Sequence, residues 1–174
     1  MDGSEFQAHA RDLIAPSPSR LALDPTEVEL RRAVSSAYYA LFHCLTSAGS
    51  QIFLSGGDPL RNQVTRAFNH TAMRKVCDAY VRSPIRPFPP PLDQLNPGVP
   101  NARLINVAAT LMRLQDARHT ADYDLAALVE YAATAQLVRA ADAALTDFAA
   151  VQALPETQVF LTALLLADRW TRRG

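Results

Sequence analysis

The chain has 174 residues, 49% hydrophobic and 20% charged. That is the size and composition of one folded domain with a core of its own, and it excludes a disordered chain. Lys plus Arg and Asp plus Glu both total 17, which excludes a strongly basic nucleic-acid coat protein but leaves room for a local basic patch. Lys75 is the single lysine among the cations, and the arginines suit bidentate contact with carboxylate or phosphate.

A short helix is predicted over 5–14, with Ser4 as its cap and a stiff Ala15-Pro16-Ser17-Pro18 turn after it. The second helix carries a start signal in Asp24, Pro25 and Glu27. Leu30, Val34, Ala37, Leu41 and Leu45 then recur at helical spacing to about Ala48, where Gly49 offers a stop. Gly56-Gly57, Asp58 and Pro59 open a third helix that the pattern carries unbroken to about Val81. Residues 83–100 hold seven of the 12 prolines, which predicts a semi-rigid loop without helix. A fourth helix spans 101–118, a fifth 124–154, and a sixth follows Pro155. No strand-like alternation of useful length appears. The expected fold is therefore an all-α bundle of five to six helices in a single domain over 1–174, with its core at about 24–154.

Cys44 and Cys77 lack metal-ligand spacing and read as two buried reduced thiols. No metal or cofactor is implied. The first 14 residues lack the apolar stretch of a signal peptide, and the longest apolar run, 159–167, is too short to span a bilayer. A cytoplasmic protein without membrane contact is expected.

Polar residues interrupt the core pattern in three places. Arg32, Ser36, Tyr39 and His43 fall within a band about 60° wide on the second helix. They border a seam of small residues, Ala33, Ala37, Ala40 and Cys44, that admits a close helix neighbour. An arginine, two hydroxyls and an imidazole converging in this way make a candidate ligand site; a salt-bridged bundle edge accounts for the same pattern. The second place is the junction Arg118 to Asp124, where Asp122 and Asp124 are expected at a helix N-terminus. Arg118 can pair with Asp122 across one turn, and Arg32 is a competing partner. The third is Asn62, Arg66, Asn69 and His70, predicted on one side of the third helix, where Arg66 and His70 would grip a phosphate or simply form a solvated face. The basic tail of Arg169, Arg172 and Arg173 reads as a solvated end.

The run Arg31-Arg32-Ala33-Val34-Ser35-Ser36-Ala37-Tyr38-Tyr39-Ala40-Leu41-Phe42-His43 resembles the "RRAxSxAYYALFH" helix of HEPN-type proteins. Arg118-x-x-Ala121-Asp122-Tyr123-Asp124 resembles the "RxxADYD" segment of one branch, and Arg66 to His70 is similar to a "YRALDH"-like stretch between them. The resemblance covers about 24–148. It implies a helical bundle, often a homodimer, that binds RNA or a nucleotide or serves as one partner of a toxin–antitoxin or defence pair. Ribonuclease members carry Arg-x(4–6)-His for metal-independent cleavage, the His moving protons at the ribose hydroxyl and the Arg stabilising phosphorane charge. Counted from Arg118, that His position falls on Tyr123, Asp124 or Leu125, none of which shuttles protons near pH 7. Arg113 and His119 satisfy the spacing in another register. The resemblance thus implies a non-catalytic binding module with Arg32, Ser36, Tyr39, His43, Asp122 and Tyr123 lining or fixing the site. A ribonuclease using Arg113 or Arg118 with His119, and a purely structural polar network, are the alternatives.

Overall fold

A computed structural model describes residues 3–15, 25–53, 58–86, 88–96 and 98–170. All regular structure among them is helical, in eight helices rather than five or six: α1 (Gly3–Ile14), α2 (Glu27–Phe53), α3 (Asp58–Arg66), α4 (His70–Arg82), α5 (Leu92–Leu95), α6 (Ala102–Tyr123), α7 (Tyr131–Val151) and α8 (Pro155–Trp170). The predicted caps and breakers at Asp24, Gly56-Gly57 and Pro16 to Pro18, the side chains of Asp58 and Arg169, and Arg172 and Arg173 lie outside what is described. No helix is long and apolar enough to cross a membrane among the described residues.

Each departure from the expected elements has a local cause. The α2 start is a capping box two residues later than predicted. The Thr26 amide and hydroxyl both donate to Glu29 Oε2, at 2.8 and 2.9 Å, and the Glu29 amide donates to Thr26 Oγ1 at 3.4 Å. The helix then runs through Gly49 to Phe53. Gly49 is not a stop but a contact point: a Cβ there would come within 2.6 Å of the buried Phe68 ring.

The single helix expected over 58–81 is two. Phe68 and Asn69 interrupt it, and Asn69 Oδ1 accepts from the Thr71 and Ala72 amides, capping α4. The proline-rich segment, expected to hold no helix, contains the four-residue α5; Pro91 precedes it and 92–95 has no proline. The fifth predicted helix starts at Tyr131, not Asp124, because Asp124 closes a turn: its Oδ1 accepts from the Ala126 and Ala127 amides at 3.0 and 3.1 Å.

The chain gathers into two compact units, one from the chain up to Cys44 with Arg113–Leu145, the other from Leu45–Met112 with the chain from Thr146 on. In the second, α4 packs on α8. Tyr80 is its centre, with ring centroids 4.9 Å from Phe88 and 4.7 Å from Phe160, and its hydroxyl donates to Asn96 Oδ1 at 3.3 Å. Cys77 is buried beside it, and burial pushes its thiol up to about 12, so it is inert. Neither cysteine forms a disulfide among the described residues, and Cys44 is half-buried rather than buried.

In the first unit, Ala33, Ala37 and Ala40 are fully buried and form the close-packing seam the sequence suggests. A Cβ at Gly3 would lie 2.6 Å from the Ala40 carbonyl oxygen, so glycine lets the first turn of α1 approach α2 backbone. Gln7 Nε2 donates to the Val138 carbonyl and to Asp142 Oδ1, and Arg11 pairs with Asp142, which ties α1 to α7.

Candidate functional site: a groove between α1 and α2

α1 and α2 enclose a groove of about 860 Å³ in the first unit. α1 contributes Glu5, Phe6 and His9; α2 contributes Val28, Arg31, Arg32, Ser35, Ser36 and Tyr39; Asp122 closes one side from the end of α6. The size suits a small ligand or a short stretch of polymer.

Of the predicted stripe on α2, Arg32, Ser36 and Tyr39 line the groove, and His43 does not. The three share an unusual property. Among the described residues the exposed Arg32 guanidinium makes no ion pair or hydrogen bond, and neither the Ser36 hydroxyl nor the Tyr39 hydroxyl makes a hydrogen bond. Three polar heads at i, i+4 and i+7 thus face the groove uncommitted.

The neighbouring polar groups are committed. Asp122 Oδ2 accepts from Arg118 Nε at 2.8 Å and its Oδ1 accepts from the Ser35 hydroxyl at 2.6 Å. The competing pair with Arg32 does not form. Asp122 sits in the last turn of α6, not at a helix N-terminus as expected, where the helix dipole opposes a carboxylate; Arg118 and Ser35 offset that cost. The Arg118 guanidinium lies over both Tyr38 and Tyr39, 5.4 and 5.0 Å from the ring centroids. Partial burial is the largest single influence and works against its charge, but the hydrogen bond to Asp122, the Asp122 charge and the two phenols together outweigh it and hold Arg118 above its ordinary range.

Arg31, next to Arg32, has the opposite fate. Its Nη1 donates to the Ala121 and Asp124 carbonyls at 2.8 and 3.0 Å and its Nη2 to the Ala127 carbonyl at 2.6 Å. Glu27 Oε1 accepts from Nε and from Nη2, at 3.0 and 2.6 Å. The guanidinium therefore caps a carbonyl in the last turn of α6, where a cation also favours the dipole, and holds two carbonyls of the turn beyond it.

His43 stacks on Phe6 at 5.1 Å and on Tyr39 at 5.8 Å, with Phe42 edge-on at 5.5 Å. Burial lowers its pKa below the ordinary histidine value. It fixes the rings that back the groove.

The remaining candidates are dispersed. Arg113 and His119 both lie within the uninterrupted α6 and are exposed. Six residues apart on one helix, they point about 120° away from each other. His119 packs on Tyr123, 5.2 Å between ring centroids, and neither lines the groove. Arg66, Asn69 and His70 do not share a helix face, because the chain breaks between α3 and α4 and Asn69 serves as the cap. Among the described residues no group of three His, Cys, Asp or Glu side chains gathers as a metal ion would require.

Sequence reasoning missed Glu5, Phe6, His9 and Val28. The first three come from α1, and no local pattern says which helix will lie along α2. Ser35 and Arg31 stand in the RRAxSxAYYALFH-like run, which does not reveal the Ser35 bond to Asp122 or the capping role of Arg31.

No family model matches the chain, and no curated protein or solved structure is significantly similar to it.

Proposed function

We propose that this chain is a HEPN-like, non-catalytic module that binds a single-stranded RNA segment or a nucleotide in the α1–α2 groove. One observation carries the reading: an arginine without an ion pair and two hydroxyls without a hydrogen bond among the described residues share one helix face in a groove that also offers the rings of Phe6, His9 and Tyr39. Arg32 would meet phosphate, Ser36 and Tyr39 would donate to sugar or base edges, and the rings supply apolar contact for a base. Both ligands present the same chemistry of phosphate joined to an aromatic base.

Binding is favoured over cleavage because the arginine of the RxxADYD-like segment is engaged by Asp122 and two phenol rings, while His43 is enclosed by rings and His119 lies outside the groove.

A titration of labelled single-stranded RNA at several salt concentrations tests this, with a mononucleotide as competitor. The account expects saturable binding that weakens with salt by a few phosphate contacts' worth, a log–log slope of about −0.7 per contact. Displacement by the mononucleotide assigns the smaller ligand. Absence of binding, or binding indifferent to salt, contradicts the proposal. In parallel, total RNA incubated with the protein without added metal should remain intact; cleavage that disappears in His119→Ala would instead establish the ribonuclease reading.

A further inference from the structure

The turn between α6 and α7 displays apolar side chains to solvent. Tyr123, Leu125, Leu128 and Tyr131 are 68, 86, 77 and 46% exposed within nine residues. Scattered surface leucines are ordinary, but four large apolar groups on one short segment are not. The turn is also firmly built. Arg31 holds the carbonyls of Ala121, Asp124 and Ala127, and Asp124 Oδ1 accepts from the Ala126 and Ala127 amides. The backbone is thus fixed by side chains while its leucines bury almost nothing, so their positions are set in advance of any partner, which lowers the entropy cost of association.

Charge says what kind of partner fits. Asp124 and Glu130, both exposed, flank the leucines. Glu130 makes no ion pair among the described residues, and the nearby Arg31 is consumed by Glu27 and three carbonyls. An acidic margin opposes approach to anionic lipid and favours a basic rim around an apolar centre.

We infer that the 123–131 turn is a docking ridge for a partner protein that offers an apolar surface bordered by arginine or lysine, such as a basic amphipathic helix. The inference does not depend on the nucleic-acid reading of the groove.

Two labelled helical peptides with the same leucine face test it, one carrying arginines on its polar face and the other glutamates, alongside phosphatidylcholine vesicles. The arginine peptide should bind at least tenfold more tightly than the glutamate peptide. Leu125→Ser/Leu128→Ser should abolish that binding, and Glu130→Gln should reduce it several-fold. Both leucines are exposed, so the melting temperature should be unchanged; if the double variant is destabilised, Leu125→Ser alone serves. Equal binding of both peptides, no binding, binding indifferent to the leucines, or partition of the protein onto the vesicles would each overturn the proposal.

Discussion

The polar groups around Tyr80 close on the protein itself. The Tyr80 hydroxyl donates to Asn96, the Asn96 amide donates to the Leu92 carbonyl, and the Ser83 hydroxyl donates to the Tyr80 carbonyl. Around Tyr39 the same kinds of groups stop short. Arg118, Asp122 and Ser35 satisfy one another, yet Arg32, Ser36 and the Tyr39 hydroxyl are left facing a groove. Both regions are built on a tyrosine in a ring cluster, but one is closed to solvent and the other open. A closed polar cluster stabilises a fold; a half-open one reserves hydrogen-bonding capacity for something else. The contrast sharpens between Arg31 and Arg32: neighbours in sequence, one capping a helix end and one without an ion pair among the described residues.

That difference makes mutational effects divide by region. The largest loss of stability should follow Tyr80→Ala, which empties the space between Phe88 and Phe160. A cost of about 3–5 kcal/mol is expected in chemical denaturation. A cost under 1 kcal/mol would mean the cluster is not a packed core. Arg31→Met should come next, at about 2 kcal/mol, because several carbonyls lose a charged donor at a side chain only 14% exposed. Hydrogen exchange should show the loss concentrated in the 124–130 turn, and Arg31→Lys should not restore it, since one ammonium cannot span the carbonyls. Uniform exchange would refute the clamp.

How much of this was legible in the sequence follows from the range of each interaction. Local ones were: the all-helical class, the alanine seam and the Arg118–Asp122 pairing all obey single-helix periodicity. The capping box at Thr26 and Glu29 was equally local, but the Asp24-Pro25-Glu27 signal beside it competes with the same grammar. Asn69 is a good cap, yet the apolar stripe runs through Phe68 in a register that an unbroken helix would also show. What no local rule supplies is the company of α1. Phe6 and His9 become groove residues only because Gly3, Gln7 and Arg11 place that helix against α2 and α7, and those contacts join positions more than a hundred residues apart or on separate helices.

Smaller effects probe the polar chain itself. Arg118→Gln and Asp122→Asn should each cost about 1 kcal/mol. In a double-mutant cycle the two should couple by at least 0.5 kcal/mol, as groups in one network do; strict additivity would show the 2.8 Å contact contributes nothing. His43 contributes a pH dependence. Burial depresses its folded-state pKa, so the unfolded chain takes up the proton first as pH falls below about 6.5. The stability associated with the neutral ring is fully present above that pH and is lost as pH falls through the depressed folded-state value. His43→Phe should flatten this limb of the pH–stability profile; an unchanged profile would locate the effect elsewhere.

Arg32 should matter least to folding and most to binding. Comparing Arg32→Ala with the wild-type protein by thermal unfolding and by single-stranded RNA titration in the same buffer tests this directly. A melting temperature within about a degree of wild type is expected, because an exposed side chain with no ion pair or hydrogen bond among the described residues contributes little. A loss of at least tenfold in RNA affinity is also expected, with a salt slope shallower by about one contact. Unchanged RNA affinity in a folded Arg32→Ala protein would contradict the assignment of the groove.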